Sequence, residues 1–321
     1  MIAYYPVLRG KQYELIALRE LAEHFSDKFC AVHPVIEPVR SRGASRLRAT
    51  CEALWSAGIS HTILFNPTVG DFADSSAAGI YPITDELRED ISPLGAILDS
   101  TESIARTLRD YALVNPAQNP QLLLFKRELG SSAELQEFIE AAGDATLMIP
   151  PAVSAGRYLR FNRAASAILL NDNFKPRSRN LDYVSDGPEL FTSSHLYASL
   201  DGYHGVADYL TIGEDFNEGG FLPRVVAIHW TYLDSDGEVW IRHFTSGESS
   251  RAGDVPGKFL TAATKLVEAF ADSRHANIAF DAIRQYVADE KFPGLGTVKK
   301  LSMLNHMLVM NEAIVSSAGE A

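Results

Sequence analysis

Short apolar runs alternate along this chain with stretches whose apolar positions recur at helical spacing, and the runs end in charged, amide or Pro-flanked residues. Tyr4–Leu8 leads into Arg9-Gly10-Lys11-Gln12, Cys30–Ile36 into Glu37-Pro38, and His61–Phe65 into Asn66-Pro67. Leu15, Leu18, Ala22 and Phe25 share one helical face within 12–25, and Leu47, Cys51, Leu54 and Trp55 share another within 44–57. Strand, helix and strand in that order predict parallel pairing through right-handed crossovers. Residues 67–99 break the rhythm; rich in Gly, Asp, Ser and Pro, they read as a long insert loop.

The rhythm then resumes. A helix over 101–113 uses Ile104, Leu108 and Tyr111, and a strand over 121–125 ends at Lys126. A helix over 132–142 uses Leu135, Phe138 and Ile139, and strands follow at 145–149 and 166–170. After a polar insert at about 172–204, Gly205–Ile212 gives a seventh strand and Arg224–Tyr232 an eighth. That eighth run enters an Asp-Gly turn at 234–238 and continues as Val239–Phe244, the pattern of an antiparallel hairpin. Helices over 257–271, 274–288 and 297–312 close the chain. Eight strands with interleaved helices predict a single α/β domain over 1–321. Its fold is a TIM-barrel-like (β/α)8 with a terminal β-hairpin and C-terminal helices. An open doubly wound sheet with a helical cap is the alternative.

Composition narrows the partners more than the fold. Of 321 residues, 29 are basic and 41 acidic, and a net charge of −12 opposes non-specific nucleic-acid binding. Cys30 and Cys51 lack metal-ligand or redox-pair spacing and read as reduced thiols. Neither a membrane-spanning run nor a signal-peptide pattern is present, which predicts a cytoplasmic protein with no membrane partner.

In a parallel barrel, ligands gather at the rim formed by the strand C-termini, which ranks the residues that end the runs. Arg9 and Lys11 flank Gly10 at a helix start and can grip a phosphate or carboxylate. Glu37 can serve there as a general base or metal ligand, or else as an ion-pair partner of Arg9, Arg40 or Arg42. Asn66 can orient a substrate or make a turn, and Lys126 can reach the rim or lie in solvent. Asp208 interrupts an apolar strand, so its carboxylate must find a partner. His229 and His243 sit on the two hairpin arms, placed to face each other as acid and base. They lack the spacing of a metal motif, so no metal is assigned and no cofactor is named. Gly294–Lys300 is a Gly-containing turn feeding a helix, with Thr297 as cap and two lysines that suit an anion. Nucleophile-elbow, dinucleotide and kinase signatures are absent.

Tyr5–Gln12, Pro34–Pro38, Gly205–Tyr209, Ala227–Tyr232 and His243-Phe244 together resemble the phage-associated Beta-protein family and its bacterial relatives. The resemblance spans most of the chain and is weak over 67–200. It implies a setting on mobile elements or near phage-defence genes, and it brings no established chemistry.

The expectation is therefore a barrel protein of a phage-related or anti-phage system that binds an anionic, nucleotide-like ligand at its rim. Arg9, Lys11, Asn66 and Lys126 would hold the ligand. Glu37, Asp208, His229 and His243 would act on it, with phosphoester hydrolysis as the reaction. The competing expectation is a non-catalytic sensor, or a subunit that binds a protein partner from the same gene neighbourhood.

Overall fold

The computed structural model describes residues 2–72, 93–100, 104, 106–107, 110–111, 120–130, 132–153, 155–162, 165–216, 223–247, 253–271 and 276–319. Where the sequence suggests one domain, the chain packs as two compact units. The first comprises Met1–Asp172 with Tyr197–Asp208, and the second Asn173–Leu196 with Tyr209–Ala321.

The first unit is a closed barrel of eight parallel strands. They are β1 (Ala3–Leu8), β2 (Val35–Ile36), β3 (Thr62–Leu64), β4 (Leu94–Leu98), β5 (Leu122–Phe125), β6 (Thr146–Ile149), β7 (Ser166–Leu170) and β9 (Gly205–Asp208). The intervening β8 (Glu189–Thr192) belongs to the second unit. Closure comes from β9, which pairs with β7 on one side and β1 on the other. Around the strands lie α1 (Gln12–His24), α2 (Ala44–Ser56), α3 (Ala133–Ala141) and α4 (Ala155–Leu159). The helical spacing of Leu15, Leu18 and Ala22 is the face that α1 buries, and Leu47, Cys51 and Leu54 do the same for α2. Trp55 is 56% exposed and off that face. Both cysteines are free thiols.

Eight is the expected number of barrel strands, with one member exchanged. Leu94–Leu98, read as insert loop from its Gly- and Pro-rich neighbourhood, is the fully buried strand β4 between β3 and β5. The rest of that stretch over 73–92 lies outside the described residues, as does Leu108. The run expected as the eighth barrel strand instead starts a separate sheet, in which β10 (Ala227–Leu233), β11 (Val239–Thr245) and β8 pair antiparallel in that order.

A close approach at β9 fixes one residue type. A Cβ on Gly205 would lie 2.5 Å from the Tyr5 ring and 2.8 Å from the Ala3 carbonyl oxygen. Gly205→Ala is expected to destabilise by about 1–3 kcal/mol through overpacking, read as a lower urea midpoint at unchanged m.

In the second unit, α5 (Ser194–Tyr197) follows β8, and α6 (Val255–Ala269), α7 (Ile278–Ala288) and α8 (Leu295–Gly319) close the chain. The Asp254 side chain caps α6 through the Gly257 N–H, and Asn277 caps α7 by accepting from the Ala279 and Phe280 N–H groups. Helix α8 begins at Leu295, so Thr297 lies inside it and does not cap it. From Leu301 to Asn311 every residue of α8 is buried, which explains its lack of an amphipathic stripe. Asn305 and His306 there are tied down. Asn305 Nδ2 donates to the Thr231 carbonyl at 2.8 Å, Asn277 donates to Asn305 Oδ1 at 2.9 Å, and His306 Nδ1 meets Thr231 Oγ1 at 3.1 Å. Among the described residues, no helix is long and apolar enough to cross a membrane.

Candidate functional site

The barrel residues singled out from sequence are engaged with one another. Gly10, at φ 62°, turns the chain from β1 into α1. There the Glu14 carboxylate accepts from the Arg9 N–H at 2.7 Å and the Lys11 N–H at 3.3 Å. A carboxylate of the chain thus occupies the positive end of α1 that was expected to receive a ligand anion. The Arg9 guanidinium donates to Glu37 Oε2. Glu37 Oε1 in turn accepts from the Thr68 N–H at 2.7 Å and the Thr68 hydroxyl at 3.1 Å. Arg9 is 4% exposed and Glu37 is fully buried. Both Glu37 oxygens are used, so the ion-pair reading of this residue holds and the role of open general base does not.

The other barrel residues follow the same rule. Tyr4 donates its hydroxyl to Asp208 Oδ1 at 2.6 Å inside the core, and burial, followed by the Asp208 charge, raises the phenol pKa well above its usual value. Asn66 donates to the Ile97 carbonyl at 2.9 Å and accepts from the Ile97 N–H at 2.8 Å, so its side-chain amide continues the β3–β4 ladder. Lys126 is half-buried just past β5, with its backbone N–H on the Leu98 carbonyl at 3.0 Å.

The second unit holds an open cleft of about 310 Å³. Ala227 and His229 of β10 line it, with Val298, Lys299 and Ser302 of α8 and with Asn180, Thr211 and Ile212. Thr211 and Ser302 are only 3% and 4% exposed, yet their hydroxyls have no hydrogen-bond partner among the described residues. Lys299 is exposed and has no ion pair among those residues. Asn180 is held by its Nδ2 on the Val225 carbonyl at 2.8 Å. A short backbone strain borders this wall, since Leu210, wholly buried, sits at φ 53° just before Thr211.

Behind the cleft stands a linked pair of histidines. His229 and His243 are direct cross-strand partners, with the two Nδ1 atoms 2.8 Å apart. The far nitrogen of His243, Nε2, lies 3.5 Å from Glu189 Oε1. Phe174 and Tyr183 pack their rings against both imidazoles. Burial lowers the His229 pKa to about 3, and the neighbouring His243 and Lys299 add to the effect. Burial also lowers that of His243, against the opposing pull of Glu189 and Asp186.

Asp186, Glu189 and His243 offer ligand atoms that all lie within 4.8 Å of one another. The Arg177 guanidinium already lies on both carboxylates, at 3.0 Å from Asp186 Oδ2 and 2.7 Å from Glu189 Oε1. A metal ion would have to displace that cation, so the cluster reads as an ion-pair network.

Of the predicted site residues, Arg9 meets Glu37 and His229 meets His243. Those in the barrel and those in the hairpin belong to different units. Lys299 carried a sequence signal, the Gly-containing turn at 294–300. Thr211, Ser302 and Asn180 carried none, because a lone hydroxyl or amide has no motif, whether in an apolar run or in a polar insert. No family model matches the chain. No curated protein matches it either.

Proposed function

We propose that this protein binds a small anionic ligand, phosphate- or carboxylate-bearing, in the cleft of its second unit. One observation carries the reading. Lys299, a cation without an ion pair among the described residues, lines the cleft beside Thr211 and Ser302, whose hydroxyls have no protein partner among those residues. On the wall of an open cleft, such hydroxyls can exchange water for the oxygens of an anion. The apolar walls at Ile212 and Val298 suit the body of such a ligand. At the barrel rim, by contrast, Arg9 and Glu37 neutralise one another.

Binding without turnover is favoured over phosphoester hydrolysis. A histidine held at about 3 is a weak general base near neutral pH. In the phage-related or anti-phage setting that the resemblance implies, the protein would act as a sensor that presents its liganded state to a partner from the same gene neighbourhood. Mass spectrometry of the natively purified protein tests the ligand. The wild type is expected to carry an anionic small molecule that Lys299→Ala loses, with affinity falling about 10- to 100-fold for one charge-assisted hydrogen bond. Equal retention by the variant would remove Lys299 from the site. Steady hydrolysis of a phosphoester panel would reinstate the enzyme reading.

A further inference from the structure

The geometry of the histidine pair points to a second requirement on the ligand: we infer that the site selects an anion that also carries an O–H or N–H donor, which it delivers to His229 Nε2. The inference rests on the cleft being the ligand site, and it follows from counting protons along one chain of atoms.

The Arg177 guanidinium donates to Glu189 Oε1 at 2.7 Å, and a carboxylate in such an ion pair can only accept. His243 Nε2 lies 3.5 Å from that oxygen, and the negative charge there favours placing the imidazole proton on Nε2. A neutral imidazole with its proton on Nε2 has a bare lone pair on Nδ1. That Nδ1 lies 2.8 Å from His229 Nδ1, a contact that needs one hydrogen, so His229 must donate from Nδ1. The same count then leaves His229 Nε2 bare. No protein group among the described residues donates to that atom, and the ring lines the cleft. The cleft thus offers a cation at Lys299 and a fixed acceptor at His229, two demands that a simple anion meets only in part.

The reverse polarity needs His243 either to be an imidazolium, donating from both nitrogens, or to turn a bare Nε2 lone pair toward the Glu189 carboxylate, which like charge disfavours. Glu189 and Asp186 face His243 and favour the imidazolium; Arg177 and burial oppose it, and the pKa stays below its usual value. Lys299 and burial likewise keep His229 uncharged, and Tyr183 and Phe174 add no acceptor against either ring. At pH 7.5 the acceptor form of His229 is the one that the surroundings select.

Long-range ¹⁵N–¹H spectra of the full chain at pH 7.5 test the polarity directly. His229 is expected in the Nδ1–H form, the minor tautomer of free histidine, and His243 in the Nε2–H form. His229 found in the Nε2–H form overturns the inference and leaves the proposed anion site standing. Calorimetry with mandelate and its O-methyl ether tests the consequence, since the two anions differ by one donor. Mandelate is expected to bind about tenfold tighter. Equal or tighter binding of the ether overturns the inference even with the tautomers as stated. Failure of both acids to bind at millimolar concentration overturns the cleft reading beneath it. His243→Phe removes the acceptor for the Nδ1 proton. It is expected to return His229 to the Nε2–H form and to bring the two acids within about twofold. Discrimination that survives in that variant would show that His243 does not set it.

Discussion

Arg9→Met is expected to cost about 3–5 kcal/mol of stability, because it leaves the Glu37 carboxylate buried with no cation. The remaining Thr68 contacts reach only Glu37 Oε1, and Oε2 loses its donor. Glu37→Gln keeps both Thr68 donors on its amide oxygen, but it turns an NH2 toward the Arg9 guanidinium. That cation is left buried without its carboxylate, so a loss of similar size is expected. Arg9→Met combined with Glu37→Met should recover much of the loss, because it removes both charges and leaves the Thr68 N–H and hydroxyl to find other partners. Urea unfolding gives the total, and hydrogen exchange on peptides from β1 and β2 locates it. A loss under 1 kcal/mol for Arg9→Met would mean that the pair is not structural. Arg9 would then return to the role of a rim residue held for a ligand.

That outcome bears on what the chain itself discloses. The barrel is legible because parallel strands buried on both faces appear as short apolar runs, and β1, β5, β6 and β7 do so plainly. Strand β4 is equally apolar, but it follows Pro93 and a polar stretch that local composition assigns to loop. The run at 224–232 is the mirror case. Its apolar character says strand, and only the Asp-Gly turn after it says that its partner is antiparallel.

Charge was legible as location and not as pairing. Arg9 and Glu37 both follow strands, which marks the rim, yet nothing local tells that one neutralises the other or that Glu14 fills the helix end between them. The histidine pair was more accessible. The turn closes with the Asp234 N–H on the Glu238 carbonyl at 3.0 Å, and that register brings His229 opposite His243. Their carboxylate came from β8, a four-residue strand inside what reads as a polar insert, too short for its alternation to register. Thr211 and Ser302 gain meaning only from lining the cleft together, a property of packing.

The histidine pair also sets the second large effect. Acidification is expected to destabilise the second unit by on the order of 2–3 kcal/mol between pH 6.5 and 4.5. His229 titrates at about 3 in the folded chain against an ordinary 6.5. Between those values the unfolded state binds more protons, so stability rises with pH. The contribution is complete above 6.5, falls by about 1.4 kcal/mol per pH unit below it, and levels off near the folded pKa. His243 and His195 are lowered by burial in the same unit and act in the same direction. Because His229 and His243 share a hydrogen bond, the uptake belongs to the pair, and replacing one partner should shift the titration of the other. His229→Phe keeps an aromatic ring beside Phe174 and Tyr183 while removing the proton site. Its urea midpoint should fall less steeply with acid, by up to one proton's slope, with the difference localised by hydrogen exchange to β10 and β11. Parallel pH profiles for the two proteins would show that His229 is solvated and protonates freely. An imidazole in that state could not offer a fixed acceptor to any ligand in the cleft.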